Sequence, residues 1–322
     1  MELTGLVGPA FWAGFVAFVL AMLALDLFVL GGRKAHTVSA REALTWTGVW
    51  MALALAFCGL LWWWLDGNVG RGVADAKALE FLTGYLIEMS LSVDNIFVFI
   101  MIFSFFAVPP AYQRRVLVFG VLGAIVMRAA MILGGAWLVH QFEWVLYLFG
   151  AFLVVTGFKM LIFAEAEADL GANPVLKWMR RHLRITDGYH GERFMARVDG
   201  LRWFTPLFLV LVLIETSDVI FAVDSIPAIF AVTADPFIVF TSNIFAIMGL
   251  RSLYFLLADL NGRFHLLKYG LALVLVFVGT KMLVADFYKV PIGLALGIVA
   301  LILSSSVAAS LYATRKPKEA KS

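Results

Sequence analysis

The stretch Glu215 to Ala231, ETSDVIFAVDSIPAIFA, is apolar enough to lie in a lipid bilayer yet carries three carboxylates, Glu215, Asp218 and Asp224. A charge in hydrocarbon is costly, so acids inside a membrane span mark function by default. A second copy stands far upstream as Glu88 to Phe99, EMSLSVDNIFVF. Aligning Asp94 with Asp224 also places Glu88 on Asp218, because each pair is six residues apart, and sets Val93 on Val223. Two acid pairs in matching places suggest one shared site.

Working outward, 62% of the residues are hydrophobic and only 15% are charged. The apolar runs approach the roughly 20 residues that a bilayer requires, so the fold class is an all-α polytopic membrane protein and not a soluble globule. Nine spans are expected, at 9–30, 43–65, 80–105, 115–138, 145–163, 206–231, 238–257, 267–285 and 291–313. The first run has no Lys or Arg before it and is followed by Arg33 and Lys34, which makes it a retained helix and not a cleaved signal. Basic residues gather in alternate loops: Arg33, Lys34 and Arg41, then Arg114 and Arg115, then the long segment from Lys177 to Arg202, then Arg315, Lys316, Lys318 and Lys321. The positive-inside rule puts all of these in the cytoplasm, with the N-terminus outside, the C-terminus inside and the chain in the cell's inner (plasma) membrane.

GFKML at Gly157 to Leu161 recurs as GTKML at Gly279 to Leu283, and Arg128 has a counterpart in Arg251. Acid pair, arginine and Gly-x-Lys-Met-Leu therefore occur twice in the same order. The expected organisation is 1–79 as two peripheral spans, 80–163 as a three-span repeat, 164–205 as a cytoplasmic linker, 206–285 as the second repeat, and 286–322 as the last span with a basic tail. An odd number of spans per repeat inverts the second relative to the first, as in many secondary transporters whose site lies near the midplane between the repeats. The linker has room for a short amphipathic helix around Val175 to Leu183, with Trp178 and Met179 against headgroups, or is simply solvated.

Residues six apart on a straight helix differ by about 240° in azimuth, so Glu88 and Asp94, or Asp218 and Asp224, cannot share one face. Either each helix is enclosed by protein or it is interrupted. Pro227 favours a helix break in the second copy, since it removes a backbone hydrogen bond to Val223 and would free a carbonyl beside Asp224; Phe97 stands in its place in the first copy. The ligand inventory is Glu88, Asp94, Asp218 and Asp224, with Glu215, and with Asn95 and Ser225 as neutral oxygen donors. This hard set suits Mg²⁺, Ca²⁺ or Mn²⁺, whereas Zn²⁺ or Cu⁺ calls for His or Cys. None of the five His falls mid-span, and the lone Cys58 excludes an intramolecular disulfide. The alternative is internal neutralisation, Glu88 or Asp94 by Arg128 and Asp218 or Asp224 by Arg251. Two arginines cannot neutralise five acids, so a charge-balancing or gating role suits Arg128 and Arg251 better than contact with a solute. Lys159 and Lys281 lie near span ends, where a long ammonium side chain snorkels.

IEMSLSVDN at Ile87 to Asn95 and SDVIFAVDSIPAIFAVT at Ser217 to Thr233 resemble the TerC family of integral membrane proteins, and the surrounding sequence is most similar to its Alx branch. The resemblance runs through nearly the whole chain. It implies export of manganese from the cytoplasm, a historical label of tellurium resistance, and kinship with LysE-type exporters. By position, the family's acidic motifs fall on Glu88, Asp94, Asn95, Glu215, Asp218, Asp224 and Ser225.

The expected function is therefore non-enzymatic: secondary export of Mn²⁺, with protons as counter-ion because carboxylates crowded around an empty site repel one another and take up protons. The expected partners are the metal, protons and the bilayer, with no nucleic acid and no organic cofactor; no GxxxxGK[ST] element is present for ATP. Other solutes, such as Ca²⁺ or an amino acid, and a non-transporting membrane partner are the alternatives. An intramembrane aspartyl protease requires a GxGD-type sequence, which neither SVDN nor AVDS fits.

Overall fold

The computed structural model describes residues 7–25, 39–142, 144–162, 170–259, 266–288 and 290–315. Asp26, Arg33, Lys34, His36, His265 and the tail lysines lie outside the described residues. Ten α-helices follow in order: α1 Pro9–Leu25, α2 Ala40–Asn68, α3 Arg71–Phe105, α4 Pro110–Gln141, α5 Val145–Ile162, α6 Pro174–His182, α7 Pro206–Phe230, α8 Pro236–Asp259, α9 Leu267–Leu283 and α10 Ile292–Arg315. Among the described residues, seven of these, α2 to α5, α7, α8 and α10, are long and apolar enough to cross a membrane. The chain is a multi-pass membrane protein. The two shorter apolar helices, α1 and α9, are 17 residues each.

Local sequence explains where helices begin. Ser39 caps α2 by accepting from the Glu42 amide at 3.3 Å. Asn173 caps α6 through Val175 and Leu176. Prolines 110, 174 and 206 occupy first helical turns, where the missing amide hydrogen is not needed. Helix α3 begins at Arg71, earlier than residue 80, because its polar first turns are held by local ion pairs, Arg71 with Asp75 and Lys77 with Glu80.

The enclosed centre is made by α3 and α8, which pack along each other, with α2 against both, α4 against α7 and α8, and α7 against α3. Helix α1 adds an aromatic layer, Phe11, Trp12 and Phe15, against Phe237, Phe240 and Phe245 of α8. Helices α5 and α9 form a close pair, and α10 covers α9 and α3. The α5–α9 approach depends on glycine: a Cβ on Gly157 would stand 2.8 Å from the Ala272 carbonyl, and one on Gly279 would stand 2.7 Å from the Gly150 carbonyl.

The segment between α5 and α7 departs from the sequence reading in one respect. Helix α6 forms where expected, but Met179 and Leu176 are buried against the protein and not against headgroups, while Trp178 is exposed. A hairpin follows, β1 Met195–Val198 antiparallel to β2 Leu201–Phe204, turning on Asp199 and Gly200 with positive φ. Tyr189 fastens this segment to the end of α3 by donating to the Phe106 carbonyl at 2.7 Å, and burial pushes its phenol above the ordinary range. The segment is thus a packed cap, not a solvated linker.

Replacing Gly157 with Ala forces α5 from α9, and overpacking of this kind costs about 1–3 kcal/mol. Thermal unfolding in detergent should show a clear fall for Gly157→Ala, and none for Gly134→Ala, whose added Cβ meets nothing within 4 Å.

Candidate functional site

The acids of α3 and α7 are brought together in two tiers and not in the single cage the sequence suggests. The inner tier is closed by Arg128 of α4. Its Nε and Nη2 donate to the two carboxylate oxygens of Asp218 at 3.2 and 2.9 Å, its Nη1 pairs with Glu88, and the same Nη1 reaches Ser225 Oγ at 3.4 Å. Arg128 and Glu88 are 0% exposed and Asp218 4%, so water does not screen these charges. Glu88 and Asp218 are the repeat-matched pair, and one arginine takes both. Arg251 does not share that role: it lines a crevice with Glu42, Trp46, Arg114 and Ser252 and is absent from the acid cavity.

The second tier is the other matched pair. Asp94 and Asp224 line a cavity of about 250 Å³ with Asn95, Ser225, Thr156 and Lys159, and Arg128 forms part of its wall. That is far more room than one water molecule needs. The two aspartates are near enough to act on each other electrostatically. Thr156 of α5 lines the cavity beside Asp224. Asn95 donates weakly to Asp218 at 3.5 Å, and its Oδ1, in a side chain only 1% exposed, has no partner. A buried acceptor left unsatisfied costs about 1–3 kcal/mol.

The geometry follows from continuous helices. Helix α7 runs through Pro227, which lies in its last turn, so the expected interruption beside Asp224 is replaced by an unbroken helix ending at Phe230. With α3 also unbroken, acids six residues apart point to different sides, and each side is occupied: Arg128 on one, the cavity on the other. Enclosure by protein, the other option open to such a helix, is what occurs.

Glu215 lies apart from both tiers. Its carboxylate occupies the space that a side chain at Gly123 of α4 would fill, and it acts on Asp218 without lining the cavity. Among the described residues, no three His, Cys, Asp or Glu side chains are grouped closely enough to hold a metal ion by themselves. A cation in this cavity would rely on two carboxylates together with neutral oxygens, Asn95 Oδ1, Ser225 Oγ and Thr156 Oγ1.

Thr156 is a cavity residue that the sequence reading passes over, and Lys159, read there as reaching for headgroups, also lines the cavity. They lie three apart on α5, hence on one helical face, and the Gly-x-Lys-Met-Leu repeat around them was the available signal. Lys281, the matched lysine, instead donates to the Ala231 carbonyl at the end of α7.

The profile of the family described as "Integral membrane protein TerC family" matches residues 73–318. A protein of Escherichia coli (strain K12) named "Putative membrane-bound redox modulator Alx" is 58% identical over 92% of this chain and 92% of its own. A protein of the same name from Photorhabdus laumondii is 53% identical over 95% and 96%. "Uncharacterized membrane protein STKORF319" of Myxococcus xanthus is 49% identical over 95% and 93%. No solved structure matches.

Removing Arg128 leaves two buried carboxylates without their counter-charge, which costs about 3–5 kcal/mol. Arg128→Ala should therefore lower the unfolding midpoint in detergent sharply. Arg128→Lys should fail to restore it, because an ammonium cannot bond Asp218 through two nitrogens while holding Glu88. Full stability of the lysine variant would contradict the bidentate geometry.

Proposed function

Because the chain belongs to the TerC family of integral membrane proteins, we propose that it is a secondary transporter that exports Mn²⁺ from the cytoplasm, with protons as the counter-ion. The observation that carries this reading is the meeting of Asp94 and Asp224, one from each matched stretch, on the wall of one cavity together with Asn95 and Ser225. Two carboxylates and several neutral oxygens, without His or Cys, suit a hard divalent ion that keeps part of its water. The choice of manganese within that class rests on the family resemblance.

The division of labour supports transport over storage. The inner tier, held together by Arg128, fixes α3, α4 and α7 to one another, and the outer tier leaves two carboxylates facing a space large enough for a partly hydrated ion. An inverted repeat is the architecture proposed for the movement. The α5–α9 contact supports it: Gly157 meets residues 272 and 276, seven and three before Gly279, while Gly279 meets residues 150 and 154, seven and three before Gly157. Such reciprocity is what a two-fold axis between matching helices produces. On this reading nine helices span the membrane, α1 and α9 included, with the N-terminus outside and the basic tail in the cytoplasm.

The relatives' names speak of redox modulation. This chain has one cysteine, Cys58, buried and placed 3.7 Å from the Ala78 carbonyl, so dithiol chemistry within the chain is not open to it. Control of a redox-active metal's concentration would connect the two descriptions. A second reading, export of an amino acid, is favoured by the two signs of charge on the cavity wall, with Lys159 and Arg128 beside the aspartates.

Vesicles carrying only this protein should take up or release Mn²⁺ along an imposed proton gradient. Asp94→Asn and Asp224→Asn should abolish flux while leaving the protein inserted and folded. Efflux at the normal rate by the double variant would remove the assignment, and stimulation by an amino acid without metal movement would favour the second reading. Protons and the metal compete for the same carboxylates, so Mn²⁺ affinity should weaken as pH falls; a flat profile would remove the proton coupling.

A further inference from the structure

The cavity proposed to take a cation already has two side-chain cations on its wall, Arg128, which is held by Glu88 and Asp218, and Lys159. Lys159 is exposed and yet lines the cavity, so the space opens beside it, and its ammonium acts on Asp224. A lysine that served only to reach the headgroup region would have no reason to share a wall with both aspartates. Its face of α5 is set by neighbours: Gly157 is held against α9, and Thr156 lines the cavity with Asp224. The matched lysine of the other repeat, Lys281, is engaged elsewhere on the Ala231 carbonyl, so the arrangement belongs to one half of the molecule. Asp94 has its own ammonium neighbour in Lys268, which acts from outside the cavity.

We propose that Lys159 is an affinity-setting residue, a tethered cation that balances Asp224 when the cavity is empty and is pushed aside when a divalent ion enters. This deepens the transport reading and rests on it. A carboxylate facing an empty, poorly screened cavity is an uncompensated charge, and an ammonium on a flexible stem supplies the balance without a bound ion. The same ammonium repels an arriving divalent cation, so it weakens binding and hastens release. A transporter needs affinity low enough to let go of its cargo, and Lys159 supplies that limit from within the wall.

The test measures Mn²⁺ binding to the purified full chain by titration calorimetry and Mn²⁺ flux in proteoliposomes, for wild type, Lys159→Gln and Lys159→Arg. Lys159→Gln should bind Mn²⁺ about tenfold more tightly, as expected for loss of one like charge near the site. It should also show a lower KM and a lower kcat together, whereas Lys159→Arg should keep both close to wild type. In an Asp224→Asn background the effect of Lys159→Gln should shrink, since the charge it balances is gone. Should the wild type bind Mn²⁺ while Lys159→Gln binds it equally or less tightly, the tethered-cation role is overturned and the transport reading stands. Should the folded wild type bind no Mn²⁺, the transport reading itself is overturned and this role goes with it.

Discussion

A guanidinium enclosed wholly by helices must be given counter-charges, and the rest of this molecule is arranged around the two that Arg128 receives. Asp218 meets it through both oxygens, Glu88 through the remaining nitrogen, and the three helices that supply these groups are thereby fixed in register. The cost of burying the triad is recovered only if every member is present, which makes the register strict. Two carboxylates and one guanidinium still leave an excess negative charge at the centre, next to a cavity with two more aspartates on its walls. That excess is what the proposed cation would balance.

Continuous helices translate this constraint into function. Because α3 and α7 do not break, a carboxylate pair six residues apart on each is divided between two sides, one structural and one open. Helix α5, held to α9 by the close approach at Gly157 and Gly279, brings Thr156 and Lys159 to the open side. The open side therefore mixes carboxylates and neutral oxygens with an ammonium, the combination on which the proposed transport rests.

Much of this was legible in the sequence. The acid-bearing stretches are too apolar for any solvated context, so the membrane class follows from composition alone. Asp94, Asp224, Asn95 and Ser225 come together as the alignment of the two stretches implies, and helix α6 forms at Pro174–His182, close to the expected Val175 to Leu183. Other features depend on partners distant in sequence. One arginine serving both inner acids could not be told from one arginine per repeat, because Arg128 and Arg251 are equivalent in position and differ only in what packs beside them. The unbroken α7 reflects where Pro227 falls, within the last turn, where the lost hydrogen bond is tolerated. Lys159 near the end of an apolar run reads the same whether it reaches for headgroups or for a cavity. The hairpin at Met195–Phe204 has strands of four residues, too short for alternation to register.

Crystals or frozen grids of the protein loaded with Mn²⁺ offer the most direct test, with the ion located by its anomalous scattering or by difference density against the metal-free protein. The account predicts a peak in the cavity within about 2.0–2.6 Å of oxygens from both Asp94 and Asp224, the range for hard cations. A peak on Glu88 and Asp218 with Arg128 displaced, or a cavity that stays without metal at saturating Mn²⁺, would contradict it.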